Sequence, residues 1–175
     1  MANYKSIAVV GKAIVKILAE SSRNEFPNAE FKLIQTADLT KVKRHSKEGA
    51  SICLYNVGIN PNWRNVLPSL DPTGNRARPP IPLNLRFLVM PWAGDPEKQY
   101  HLLGWIIHVL GNTPVLAATF LNEIAPNEIV FSSDETVKLV YDPFFPPNLD
   151  TMIQDMKQPN ALLSVAYVAS LAIGE

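Results

Sequence analysis

At 175 residues the chain is the size of one domain and long enough to bury most of its apolar surface. Sixteen Lys plus Arg balance sixteen Asp plus Glu. A formal net charge of zero excludes a general binder of nucleic acid or acidic membrane, which needs a basic excess, and leaves nothing to keep copies of the chain apart.

In chain order, residues 4–22 are predicted to form an amphipathic helix, with Ile7, Val10, Ile14, Ile17 and Leu18 on one stripe and Lys5, Lys12 and Lys16 opposite. The same lysines break any apolar core of secretory length, and no segment reaches the roughly 20 apolar residues of a membrane span, so cytoplasmic synthesis is expected. "AEFKLIQ" is a short strand candidate, and the basic "TADLTKVKRHSKEGA" a solvated loop. "SICLYNVGI", residues 51–59, is a strand apolar on both faces and hence central. It contains the single cysteine, Cys53, which permits no intrachain disulfide and no cysteine zinc site within one chain, and which reads as a buried hydrophobe.

Residues 60–82 hold six of the chain's 15 prolines in a 23-residue connection without helical or alternating pattern. Connections of that length are functional or disordered. Trp63, Arg64, Arg76 and Arg78 supply the aromatic and guanidinium groups that interfaces favour. In "LNLRFLVM" a strand places Leu83, Leu85, Phe87 and Val89 on one face and ends at Pro91. Asp95 caps the next helix, with Pro96 at its first position, running to about residue 111. Its apolar arc is Leu102, Leu103, Ile106, Ile107, Val109 and Leu110, leaving His101, Gly104, Trp105 and His108 on the rest of the circumference.

"VLAATFLNEIA" is a short helix or link, "NEIVFSSDETVKLVYD" two short strands or one interrupted strand, and residues 148–157 a short helix. The last strand, Ala161 to Ile173, has Leu163, Val165, Tyr167, Leu171 and Ile173 on one face and a flat strip of Ser164, Ala166, Ser170 and Ala172 on the other. At that length either part of it overhangs the sheet and offers an edge to a partner strand, or it is a fully internal strand; the two readings stand level. The sum is a single domain, residues 1–175, of α+β class: a mostly antiparallel or mixed sheet with two or three helices packed on it.

No reaction emerges from the motifs. His101 and His108 lie about 10 Å apart along a helix, too far for one metal. No serine has the GxSxG setting, and "VVGKAI" lacks the rest of a phosphate loop. No catalytic residue, metal or cofactor is therefore expected.

The order of "LYNVGINPNWRN", "RPPIPLNLRFLVMPWA", "HLLGWIIHVLGNTPVL" and "SVAYVASLAI" resembles the cap, or tube-terminator, proteins of contractile injection systems, which are phage-tail-like particles. The helix before the last strand, in "NLDTMIQDMKQPNALL", departs from that pattern in lacking a tryptophan. The resemblance implies a fold similar to phage tail terminators and a structural role. The expected assembly is a homo-oligomeric ring, commonly of six copies, that ends the inner tube and holds the last sheath layer. Its partners would be the tube and sheath proteins, with neither nucleic acid nor membrane. Trp63, Arg64, Arg76, Arg78, Trp105, His108, Ser164 and Ala166 are the candidate contact residues. A monomeric peptide-binding adaptor and a small-molecule enzyme are the rival readings.

Overall fold

The computed structural model describes residues 2–41, 47–61, 79–143 and 163–174. Its order is α1 (Ser6–Ser21), β1 (Glu30–Ile34), a 3-10 helix (Thr36–Lys41), β2 (Gly49–Ile59), β3 (Ile81–Trp92), α2 (Pro96–Gly111), β4 (Val115–Ala117), α3 (Ala118–Glu123), β5 (Thr136–Tyr141) and β6 (Val165–Ile173). The six strands form one sheet in the order β1-β2-β3-β6-β5-β4, with β1 parallel to β2 and every other pair antiparallel. This is the α+β architecture expected, with a mixed sheet and three helices.

One sheet face carries the helices. Val10, Ile14 and Leu18 of α1, Leu102, Ile106 and Leu110 of α2, and Leu121 of α3 are buried against Ile52, Phe87, Tyr167, Leu139 and Leu116. The sequence places Ile107 in the same arc, but it is 43% exposed, because three residues per two turns suffice to seat α2. Asp95 caps α2 as expected, its carboxylate accepting from Lys98 N–H. The other face holds a smaller cluster of Cys53, Leu88, Met90 and Ala166.

Three departures from the sequence reading have physical causes. β3 does not stop at Pro91 but continues to Trp92, with Pro91 opposite Ala50 of β2. Pro82 C=O accepts from Asn60 N–H, so even-numbered β3 residues turn toward β2 and Pro91 turns the other way. On that side β6 pairs only as far as Val89, and the missing N–H falls past its end. The Pro91 carbonyl there accepts from Gln99 Nε2 at 2.8 Å instead.

Second, the 127–142 region yields the single strand β5 among the described residues. Val130 and Phe131 are buried pegs in a non-strand segment, held by the Asn122 side chain. Third, the strand begins at Val165 rather than Ala161 over the described residues, and of the two readings, overhang or interior, β6 takes the interior one. β3 flanks its whole length, and β5 and a bridge to Ala2 flank the other side. The predicted helix at 148–157 and the strand start at 161–162 lie outside the described residues.

Burial of two weak acids sets the alkaline limit of this fold. Burial pushes the Cys53 thiol up to about 11 and the Tyr167 phenol up to about 12, from ordinary values of 9.0 and 10.0. Each raised value favours the neutral, folded form. The stabilisation is complete below the unfolded value and is lost as pH rises through the folded one. The urea midpoint is therefore expected to hold up to about pH 9 and to fall steadily from there to pH 12, and Cys53 to ignore thiol reagents at pH 8 until the protein is denatured. A flat midpoint across that range would contradict this.

Candidate assembly surfaces

Four of the proposed contact residues, Trp63, Arg64, Arg76 and Arg78, lie outside the described residues. The other four are not brought together. Trp105 is half-buried on α2, with its ring edge-on to Phe26 at 5.4 Å and tilted over Phe31 at 6.0 Å. It ties α2 to the segment after α1 and to β1. His108, three residues on, is exposed, its Nε2 3.1 Å from Asn112 Nδ2 at the end of α2. Ser164 and Ala166 belong to the helix-free sheet face. Ala166 is packed in the Cys53 cluster, and the Ser164 hydroxyl is buried with no hydrogen-bond partner.

That face also carries a polar row that sequence reasoning missed. Asn84 Oδ1 accepts from Asn60 Nδ2 at 3.1 Å and from Ser170 Oγ at 2.8 Å. Beside it Arg86 Nη1 donates to the buried Asp142 carboxylate at 3.0 Å. Burial of Asp142 with this partner makes the pair internal scaffolding of β3 and β5. These residues sit on β3 and β6 or one residue past the ends of β2 and β5, far apart in sequence, so no spacing could have joined them. Farther along, Trp92 Nε1 donates to Ser51 Oγ, and Lys32 Nζ lies 5.8 Å from the Trp92 ring centre.

The sheet has two ends. β4 closes one with three residues, and among the described residues no strand pairs with its outer side; Val115 there is exposed. At the other end β1 covers only Gly49–Cys53 of β2. A register shift between Leu54 and Asn56 then changes which β2 residues face the helices, from Ile52 and Leu54 to Val57 and Ile59. Both valine and isoleucine are exposed there, as is Ile81 beside them on β3. The shift hides in "CLYNVGI", where a two-residue alternation is read straight through.

Among the described residues no group of three or more His, Cys, Asp or Glu could hold a metal ion, and no helix is long and apolar enough to cross a membrane. The chemistry on display is that of packing and strand edges.

A domain of this topology matches a known family: the chain belongs to the Pvc16 N-terminal domain family, whose sequence pattern covers residues 10–174. Among solved structures it is similar to the sheath/tube terminator, in its extended state, of an extracellular contractile injection system, PVC. That match has a TM-score of 0.59 and 16% identity over 95% of this chain and 55% of the other. It is also similar to the tube-terminating cap of the anti-feeding prophage, with a TM-score of 0.62 and 13% identity over 94% of this chain and 53% of the other. The chain thus spans about half the length of the structures it matches. No curated protein matches it.

Proposed function

We propose that this protein is a structural cap that ends the inner tube and sheath of a contractile injection particle, acting as a ring of six copies and not as an enzyme. The observation that carries this reading is the family membership over residues 10–174, joined to a fold shared along nearly the whole chain with two tube-terminating proteins. The balanced charge suits self-association, and one domain with two unlike contact faces closes into a ring when the rotation between neighbours closes. Its partners in this reading are its own copies, the tube protein and the sheath protein, with no nucleic acid or membrane. Assembly takes place in the cytoplasm, on a particle that can be released.

Trp63, Arg64, Arg76 and Arg78 are proposed to meet a neighbouring subunit or the tube, with the guanidinium groups pairing acidic side chains. Trp105 and His108 are proposed as secondary contacts, and Ser164, whose hydroxyl is buried, and the buried Ala166 as small residues that support the helix-free face beneath such a contact. The test is electron microscopy of particles assembled with and without the protein. Tubes of uniform length are expected with it, and a broad length distribution with detached sheath ends without it. The triple change Arg64→Ala, Arg76→Ala, Arg78→Ala should broaden the distribution while the isolated domain keeps its circular dichroism. Unchanged particles in the absence of the protein would overturn the reading.

A further inference from the structure

We propose that neighbouring copies in the ring are joined by strand pairing, the free edge of β4 in one copy adding in parallel to the Val57–Ile59 stretch of β2 in the next. This rests on the ring reading above and names the contact that builds it.

The first observation is the main chain left over at each end of the sheet. Asn60 N–H donates to Pro82 C=O, so Asn60 and Gly58 turn toward β3, and the N–H and C=O of Val57 and Ile59 turn outward. β1 stops opposite Cys53, and no other described strand covers them. At the other end Leu139 N–H donates to Pro114 C=O and Ala118 N–H to Glu135 C=O, which turns Val115 and Ala117 outward. Ala117 caps α3, so its C=O serves the helix, and its N–H has no backbone acceptor among the described residues.

The second observation is composition. Edge strands are normally guarded by charge, and β1 carries Glu30 and Lys32. Neither "NVGIN" nor "TPVLA" has a charged residue. Val57, Ile59 and Val115 are 45%, 57% and 51% exposed, so both edges present apolar side chains beside main chain that no described strand pairs.

The third is direction. Four antiparallel steps lead from β2 through β3, β6 and β5 to β4, so β4 runs the same way as β2. A rotation about an axis along the strands brings the two edges together in parallel, as β1 already pairs with β2. In a parallel ladder a residue bonds to the two residues flanking the one opposite it, so edge-facing residues of the two strands lie on opposite sheet faces. Val57 and Ile59 lie on the helix face, aligned with Leu85 and Leu83; Val115 lies on the other, aligned with Lys138. With Leu116 opposite Ile59, Ile59 N–H meets Val115 C=O, Ala117 N–H meets Ile59 C=O, and Val115 N–H meets Val57 C=O. The helix faces then continue from copy to copy.

Proline tests this without breaking the fold, because the N–H groups it removes point away from the sheet. Ala117 has φ −75°, which proline adopts freely. In the full chain, Ala117→Pro and Ile59→Pro are expected to keep the wild-type circular dichroism and to need at least about tenfold higher concentration for ring formation by sedimentation. Independently, Gly58→Cys with Val115→Cys, which this register places opposite each other, should give a cross-linked ladder on oxidation. A β-carbon at Gly58 meets only Asn56 Oδ1 at 3.8 Å, so the site accepts cysteine. Rings that form normally with both prolines, or that give no cross-link, overturn this contact and leave the cap reading standing. A wild-type chain that stays monomeric at every concentration, alone and on tubes, overturns both.

Discussion

Gly49→Ala is expected to cost about 3 kcal/mol or more and to loosen β1 from the sheet. A β-carbon at residue 49 would lie 2.0 Å from the Glu30 carbonyl oxygen and 2.7 Å from the Trp92 ring. Glu30 is the residue paired with Gly49 in the parallel ladder, and Trp92 is its partner across β3. The obstruction is therefore backbone on one side and, on the other, a ring whose indole N–H is bonded to Ser51. Neither can step aside without giving up a bond. Urea unfolding measures the loss, and accelerated amide exchange in Glu30–Ile34 should accompany it. Gly104→Ala is the natural control. A β-carbon there, on the exposed side of α2, meets nothing within 4 Å beyond its own helix among the described residues, so alanine should stabilise by about 0.5 to 1 kcal/mol through helix propensity. Equal effects at the two glycines would contradict the assignment.

The second large effect is expected at Asn122. Its Oδ1 accepts from Val130 N–H and Phe131 N–H, both at 3.0 Å, and its Nδ2 donates to Phe131 C=O at 2.8 Å. One side chain thus satisfies three main-chain groups of a segment that forms no strand of its own, and it seats Phe131, 1% exposed, in the core. Asn122→Ala leaves those groups without partners in a largely buried place, at about 2 to 4 kcal/mol. Asn122→Asp, compared at about pH 3, should lose less, because a protonated carboxyl still accepts from both N–H groups and can donate to the Phe131 carbonyl, whereas ionised it would set an oxygen against that carbonyl. Thermal unfolding of the two variants side by side gives the ranking; an aspartate variant as unstable as alanine would contradict the clamp.

The helices and the long strands were legible because each is written with its own period. The 3.6-residue stripe of α1, the Asp95–Pro96 start of α2 and the alternation of β3 each matched a local physical requirement. What escaped was nonlocal. The continuation of β3 through Pro91 depends on where β6 stops. The reversal of facing within β2 depends on one extra residue at Tyr55 that no alternation rule announces. β4 is too short to carry a pattern, and the Asn122 clamp is defined by what it holds eight and nine residues later. The interior position of β6 was equally invisible, since a strand rich in Ala and Ser reads the same between two neighbours as at an edge. For the candidate contact surface, composition pointed to the Arg-rich connection, while the two uncharged strand edges became recognisable only once the strand order was known.

The place of β6 between β3 and β5 also fixes the order of events during synthesis. Strands β1 to β5 leave the ribosome before the strand that joins β2–β3 to β4–β5 exists as a chain. Until residues 165–173 emerge, the β3 side that will receive Val165–Ile173 stands open, and the hairpin-sized β4–β5 pair has no sheet to join. At about 5 to 20 residues per second that interval lasts seconds, long enough for a sticky strand edge to meet a wrong partner. Conditions that slow elongation near the end of the message should therefore lower soluble yield more than the same delay placed within α1.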